Sequence, residues 1–269
     1  VTGVLSEVLL AIVAFSANQG SAVQLTFPNE QGIKSVEVVW AMKKVPAFRS
    51  GNVWTTILGV DLDAKPGEHK TEVLVTMDDG RIDQRETVIQ VASKKYPTTE
   101  LKVEDKYVEL NKADLARANR ESKEIAAIYA RITNPALWTD PFSIPIPGET
   151  SGTNFGHRRI FNGEPRAPHA GADLRAKTGT RIHATNRGRV VLAKNLFFTG
   201  NTVILDHGLG IYSLYAHLSQ IDVKVGELVD NGGELGLSGA TGRVTGPHLH
   251  WGIMAQGARV DPFTLINIK

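Results

Sequence analysis

From Val23 onward apolar and polar residues alternate, with Val23, Leu25 and Phe27 separated by Gln24 and Thr26. Successive side chains of a strand point to opposite sides, so a period of two predicts a strand with one buried face. The turn residues Pro28 to Gly32 close this strand, and further extended runs follow over Val36–Met42, Val45–Phe48 and Val53–Val60, the last two separated by Arg49-Ser50-Gly51-Asn52. Asp63 to Gly67 breaks the pattern again, and Met77-Asp78-Asp79-Gly80 reads as a hairpin tip between Thr71–Thr76 and Ile82–Val91. Short strands at regular intervals without a helical segment predict an antiparallel, immunoglobulin-like β-sandwich over residues 1–96. Trp40 and Trp54 are expected in its core, and His69, between Glu68 and Lys70, on its surface.

The period then changes. Leu115, Ala118, Ile125, Ile128 and Ile132 keep one helical face apolar, Asn111 is a suitable N-cap, and Asn134-Pro135 is a stop, so one helix is expected over Asn111–Thr133. Its charged face, with Arg117, Arg120, Lys123, Glu124 and Arg131, reads as solvated. Pro135, Pro141, Pro145 and Pro147 make an extended connector. The expected organisation is a β-domain at 1–96, a linker with one long helix at 97–139, and a second all-β unit at 140–269. Glycine is frequent in that unit, and antiparallel hairpin strands are predicted at 180–183, 188–194, 201–206, 210–217 and 234–237.

Composition narrows the function classes. With 269 residues, 42% hydrophobic and 22% charged, the chain has the make-up of a globular protein with room for one large or two ordinary domains. A formal charge of +2 and the lack of any basic run give no electrostatic footprint for nucleic acid or an anionic membrane. There is no cysteine, so disulfides, thiolate ligands and thiol nucleophiles are all excluded, and any metal must be held by His and carboxylate. The apolar run Val8–Phe15 is too short to span a bilayer. With Glu7 beside it and no Lys or Arg before Lys34, it is read as a strand of the mature chain, with an export signal over residues 1–22 as the alternative.

The candidate chemistry lies in the second unit. In Gly246-Pro247-His248-Leu249-His250-Trp251-Gly252, alternate positions of a strand would bring both imidazoles to one face. His169 and Asp173, four apart, converge in either a strand or a helix. Catalytic zinc takes three protein ligands plus an exchangeable water and accepts imidazole nitrogen and carboxylate oxygen. His169, Asp173 and His250 can supply such a set, leaving His248 and the strand residue His217 to handle a proton and an oxyanion. Convergence follows from the spacing. The division of roles does not.

Three strings carry a resemblance: Pro168-His169-Ala170-Gly171-Ala172-Asp173-Leu174, Tyr215-Ala216-His217-Leu218-Ser219, and Gly239 to Gly252 with its His248-Leu249-His250. Weaker matches are Asn154 to Arg159 and Val260-Asp261-Pro262. Over about Phe142 to Leu265 the chain resembles the lysostaphin-type zinc endopeptidases of bacterial cell walls. That resemblance implies one Zn2+ per chain on His169, Asp173 and His250, with His217 and His248 as the unligated catalytic pair. It also implies peptidoglycan stem or cross-link peptides as substrate and an exported protein of the periplasm or cell envelope, expected to be a monomer. The alternative is a non-catalytic wall-binding or hydrolase-activating module of the same fold. His207 and His183 are expected in turn and packing roles. His157, with Arg158 and Arg159 beside it, stands outside the core set. Asn154 and Asn162 flank the approach to His169, where an amide oxygen could take an open metal position.

Overall fold

The computed structural model describes residues 14–101, 110–149, 151–152, 154–161, 163–165 and 167–268. Most of the run Val8–Phe15, and Asn162, lie outside the described residues. Eight strands come first: β1 (Ala14–Asn18), β2 (Ser21–Pro28), β3 (Ile33–Trp40), β4 (Lys43–Pro46), β5 (Phe48–Ser50), β6 (Val53–Val60), β7 (Gly67–Met77) and β8 (Ile82–Ala92). They form a five-stranded sheet ordered β1-β8-β7-β3-β4 and a three-stranded sheet ordered β2-β6-β5. The alternating positions Val23 and Leu25 meet Val36, Val38, Leu58, Val73, Val75 and Ile89 in one apolar cluster. Trp54 is in that cluster and Trp40 packs at its margin, donating its indole N–H to the Gly59 carbonyl.

The sandwich is not wholly antiparallel. β1 pairs in parallel with β8, Ala14 opposite Val88 and Asn18 opposite Ala92. The turn after β1 contains Gly20 at φ +71°, and it hands the chain directly to β2 in the other sheet. β1 and β2 therefore cannot close a hairpin, and β1 takes the free edge of β8 instead.

After β9 (Thr98–Leu101), helix α1 runs from Lys112 to Tyr129, with Asn111 as N-cap accepting from the Asp114 N–H. The helix is shorter than the expected Asn111–Thr133. Thr133 is held elsewhere: its carbonyl accepts from the Leu209 N–H and its hydroxyl bonds the Asp206 carboxylate. Ile125, Ile128 and Tyr129 pack on Leu192, Leu196, Ile204 and Tyr212, whereas Leu115, expected on the same face, stands 48% exposed. Among the described residues no helix is long and apolar enough to cross a membrane.

The remaining elements are β10 (Arg158–Phe161), β11 (Glu164–Pro165), β12 (Gly171–Arg175), β13 (Arg181–His183), β14 (Gly188–Leu196), β15 (Gly200–Gly208), β16 (Ile211–Ile221), β17 (Leu228–Val229), β18 (Glu234–Ser238), β19 (His248–Ala255), β20 (Ala258–Val260) and the short helix α2 (Pro262–Ile266). Their main sheet is ordered β12-β19-β16-β15-β14-β17, with β13, β18 and β20 attached. The mainly β fold class and the five expected strands of this unit are all present. β19, the strand of the His-x-His, lies between β12 and β16, so elements far apart in sequence become its neighbours. β9 joins β10 in parallel, in a small sheet with β11 that ties the segment after the sandwich to the loop preceding His169. Gln256 braces the two units, its side-chain amide meeting Gly59 N–H, Ile57 carbonyl and Leu209 carbonyl.

Candidate metal centre

β19 alternates as its sequence predicts. Leu249 and Trp251 are wholly buried in the core, and His248 and His250 face the other way. Across the β12 pairing, Asp173 stands directly opposite His250 and Arg175 opposite His248. Ala172 and Leu174 are wholly buried, so Asp173 and Arg175 share the face of the two histidines.

On the other flank, Ala216 of β16 is opposite His250. Strict alternation would send the next side chain, His217, into the core with Tyr215. His217 instead has φ +64°, and its N–H leaves the ladder for the Thr199 carbonyl at 2.8 Å. This irregularity turns its ring over, to 4.9 Å from the His248 ring and 6.0 Å from that of His250, measured between centroids. Left-handed backbone in a non-glycine residue costs on the order of 1–3 kcal/mol and is retained where the surroundings fix it. Here the fixing groups are the Thr199 carbonyl and that of Thr241, which accepts from His217 Nδ1 at 2.9 Å.

His169 comes from the loop before β12. Its backbone is set by two hydrogen bonds, His169 N–H to the His157 carbonyl and Gly156 N–H to the His169 carbonyl. Its Nδ1 donates to the Asn154 carbonyl at 3.1 Å, which assigns the proton to Nδ1 and leaves Nε2 with a lone pair. That Nε2 is 3.0 Å from Asp173 Oδ1 and 3.0 Å from His250 Nδ1, and His250 Nδ1 is 2.9 Å from the same carboxylate oxygen. Three atoms that act as lone-pair donors in the neutral histidines and the carboxylate therefore lie within 4.8 Å of one another. Mutual repulsion would disperse them unless protons or a cation sat among them, so the donor set fits a divalent cation with nitrogen and oxygen ligands.

Electrostatics agrees with that crowding. Burial pushes the Asp173 carboxyl up, but the His169 and His250 imidazoles against its Oδ1 outweigh it and hold the group well below the usual carboxylate range. Burial lowers His250, more than the neighbouring Asp173 carboxylate raises it. His217 is 7% exposed and is lowered to about 4, chiefly by burial and against the hydrogen bond to Thr241. It is neutral at pH 7, with Nε2 unprotonated because Nδ1 donates to Thr241. His248 donates from Nδ1 to the Gly246 carbonyl at 2.9 Å, and its Nε2 lies 3.7 Å from Asp173 Oδ1. Both rings thus lie beside the cluster of His169, Asp173 and His250, each with its Nδ1 committed to a backbone carbonyl.

The other residues singled out in the sequence fall away from this point. His157 shares a hydrogen bond with the Thr99 hydroxyl at 2.8 Å, and Arg158 pairs with Asp63 of the sandwich at 2.7 Å. His207 is fully buried between the Arg187 carbonyl and the Ser213 hydroxyl, and His183 bonds the Gly232 carbonyl. His69 is half-buried rather than solvated, because its ring leans edge-on against Trp40 and bonds the Lys65 carbonyl. Asn154 spends its side-chain amide on Asp173, donating to Oδ2 at 2.8 Å and accepting from the backbone N–H at 2.9 Å. Thr199 and Thr241 carry no sequence signal for their part in placing His217. The nearby Gly-x-Thr-Gly turn at 239–242 marks only a loop.

The model of peptidase family M23 matches residues 167–262, which contain all five of these residues. A crystal structure of an M23 peptidase from Pseudomonas aeruginosa is 32% identical, with a TM-score of 0.66, over 92% of this chain and 94% of that one. The chain belongs to peptidase family M23. Among curated relatives, the peptidoglycan DD-endopeptidase ShyA of Vibrio cholerae is 43% identical over 110 residues, 40% of this chain and 26% of that protein. The DD-carboxypeptidase/endopeptidase Mpg of Neisseria meningitidis is 38% identical over 98 residues, 36% of this chain and 22% of the relative. The chain thus spans about a quarter of the length of the curated relatives it matches.

Proposed function

We propose that this chain is a zinc-dependent endopeptidase that hydrolyses peptide bonds in peptidoglycan cross-links or bridges. The observation that carries the reading is the convergence of His169 Nε2, Asp173 Oδ1 and His250 Nδ1 beneath the rings of His217 and His248. His169, Asp173 and His250 would hold the metal. Zinc there supplies Lewis acidity, lowering the pKa of a bound water towards about 7 and polarising a substrate carbonyl.

The chain's own residues then manage position and protons. Neutral His217 accepts a proton at Nε2, since its Nδ1–H stays on Thr241. His248 offers a second free Nε2, held by its bond to Gly246. Neither ring donates from Nε2 in the neutral form, so the one that has taken a proton is the one able to stabilise an oxyanion or protonate the leaving amine. Relatives named as DD-endopeptidases favour a cross-link between D-residues as the bond cut, and an extracytoplasmic site of action, the cell envelope.

The test is mass spectrometry of muropeptides released from defined cross-linked peptidoglycan, run with zinc, with a chelator, and with zinc restored. The expected result is cleavage of cross-linked dimers to monomers that stops with the chelator and returns with zinc. Equal release in all three arms would overturn the metal mechanism, and no release by the zinc-loaded protein would overturn the peptidase reading.

A further inference from the structure

Arg175 lies two residues beyond Asp173 on the same face of β12 and directly opposite His248. Two residues of strand amount to about 7 Å. The guanidinium is solvent-exposed and has no partner among the described residues. Its counterparts in the same unit are engaged: Arg158 meets Asp63, Arg181 meets Glu234, Arg187 meets Asp230, and Arg259 meets Asp61. Its backbone, by contrast, is fixed, with the Arg175 N–H donating to the Ser151 hydroxyl at 2.9 Å. β12 is also the outer strand of its sheet.

An exposed guanidinium with no partner among the described residues, on the strand face of Asp173 and across from His248, is available to an anion that approaches the cluster. Resting on the peptidase reading above, we infer that Arg175 recognises a free carboxylate of the substrate peptide, within about two residues of the scissile bond. The guanidinium fork suits a carboxylate in two-point contact, which a lysine cannot reproduce. Arg175 is then a specificity residue that selects acidic peptides over their amidated forms.

The test uses two cross-linked peptides of one sequence, one with free carboxylates and one with those carboxylates amidated, and the zinc-loaded full chain as wild type, Arg175→Gln and Arg175→Lys. Wild type is expected to prefer the acidic peptide at least tenfold in kcat/KM, mainly through KM, with the preference shrinking as salt rises. Arg175→Gln should bring the ratio close to one at undiminished zinc stoichiometry, and Arg175→Lys should restore part of it. A wild type that cleaves both peptides equally, or a glutamine variant that keeps the wild-type ratio, overturns the role of Arg175 and leaves the peptidase reading standing. A wild type that cleaves neither overturns both.

Discussion

Asn154 holds Asp173 from both ends of one amide: its Oδ1 accepts from the Asp173 backbone N–H and its Nδ2 donates to Asp173 Oδ2. The carboxylate is left with Oδ1 turned towards His169 and His250, each within 3.0 Å. The Asn154 carbonyl also fixes the His169 tautomer, so one residue orients two of the three donors.

Replacing Asn154 by Ala removes the side-chain clamp and keeps the carbonyl. Partners of metal ligands are typically worth tenfold to a hundredfold in metal affinity. Asn154→Ala should weaken zinc binding by about that factor in competition with a chromogenic chelator, with cooperative unfolding retained. Unchanged affinity would show that Asp173 is oriented by the sheet alone.

His217 is the residue whose backbone is out of line with its strand. His217→Ala should keep one zinc per chain and lose about 10²–10⁴ in kcat, the range for a positioned acid or base. His250→Ala should lose both metal and turnover, whereas His248→Ala should keep the metal and lose turnover. The φ of +64° adds a second measurement. Glycine adopts that conformation freely and alanine does not, so His217→Gly should be more stable to urea than His217→Ala by roughly 1 kcal/mol. Equal stability would mean that the backbone relaxes once the imidazole is gone.

These variants also mark how far the sequence could be read. The strand of the His-x-His, the Asn111 cap and the turn-bounded strands follow from local patterns, because side-chain period and capping are properties of neighbouring residues. Asp173 facing His250 is a matter of register between strands some eighty residues apart, and no local pattern carries it. The His217 ring would have been assigned to the core by strand alternation, and its pairing with His248 was legible only from its chemistry and from the family resemblance, not from its place in the strand. The Asn154 amide was legible as a group near the metal, but not its direction, which depends on the loop pinned by Phe155 against Tyr96. The parallel pairing of β1 with β8 was missed for the same reason: it is decided by which sheet the next strand joins.

Gly171 permits the closest approach at the centre. A Cβ there would lie 2.5 Å from the Trp251 carbonyl and 2.8 Å from the His250 ring. Neither neighbour is free to yield, since Trp251 is wholly buried and His250 is a donor of the cluster. Gly171→Ala should push β12 off β19, costing about 1–3 kcal/mol as overpacking does and displacing Asp173 from His250. Thermal unfolding and zinc titration should both report the change. A variant that loses neither would place the strands further apart than these distances state.

His207 offers a test away from the metal. It is 0% exposed, with one ring nitrogen on the Arg187 carbonyl and the other on the Ser213 hydroxyl, which in turn contacts the Tyr215 hydroxyl. Burial lowers its pKa to about 4, and the hydrogen bond to Arg187 only partly opposes this. In the unfolded chain a histidine titrates near its ordinary value of about 6.5. Between these two values the unfolded state binds a proton that the folded state refuses, so stability is fully present above about pH 6.5 and is lost as pH falls towards 4. The full difference is on the order of 3 kcal/mol for this one group. Other groups titrate over the same window, so the measurement is a difference. Urea unfolding of metal-free wild type and His207→Gln, at pH 7.5 and at pH 4.5, should show a smaller loss in the variant, because glutamine can bond both partners without titrating. Equal losses in the two proteins would mean that His207 takes up its proton within the folded core.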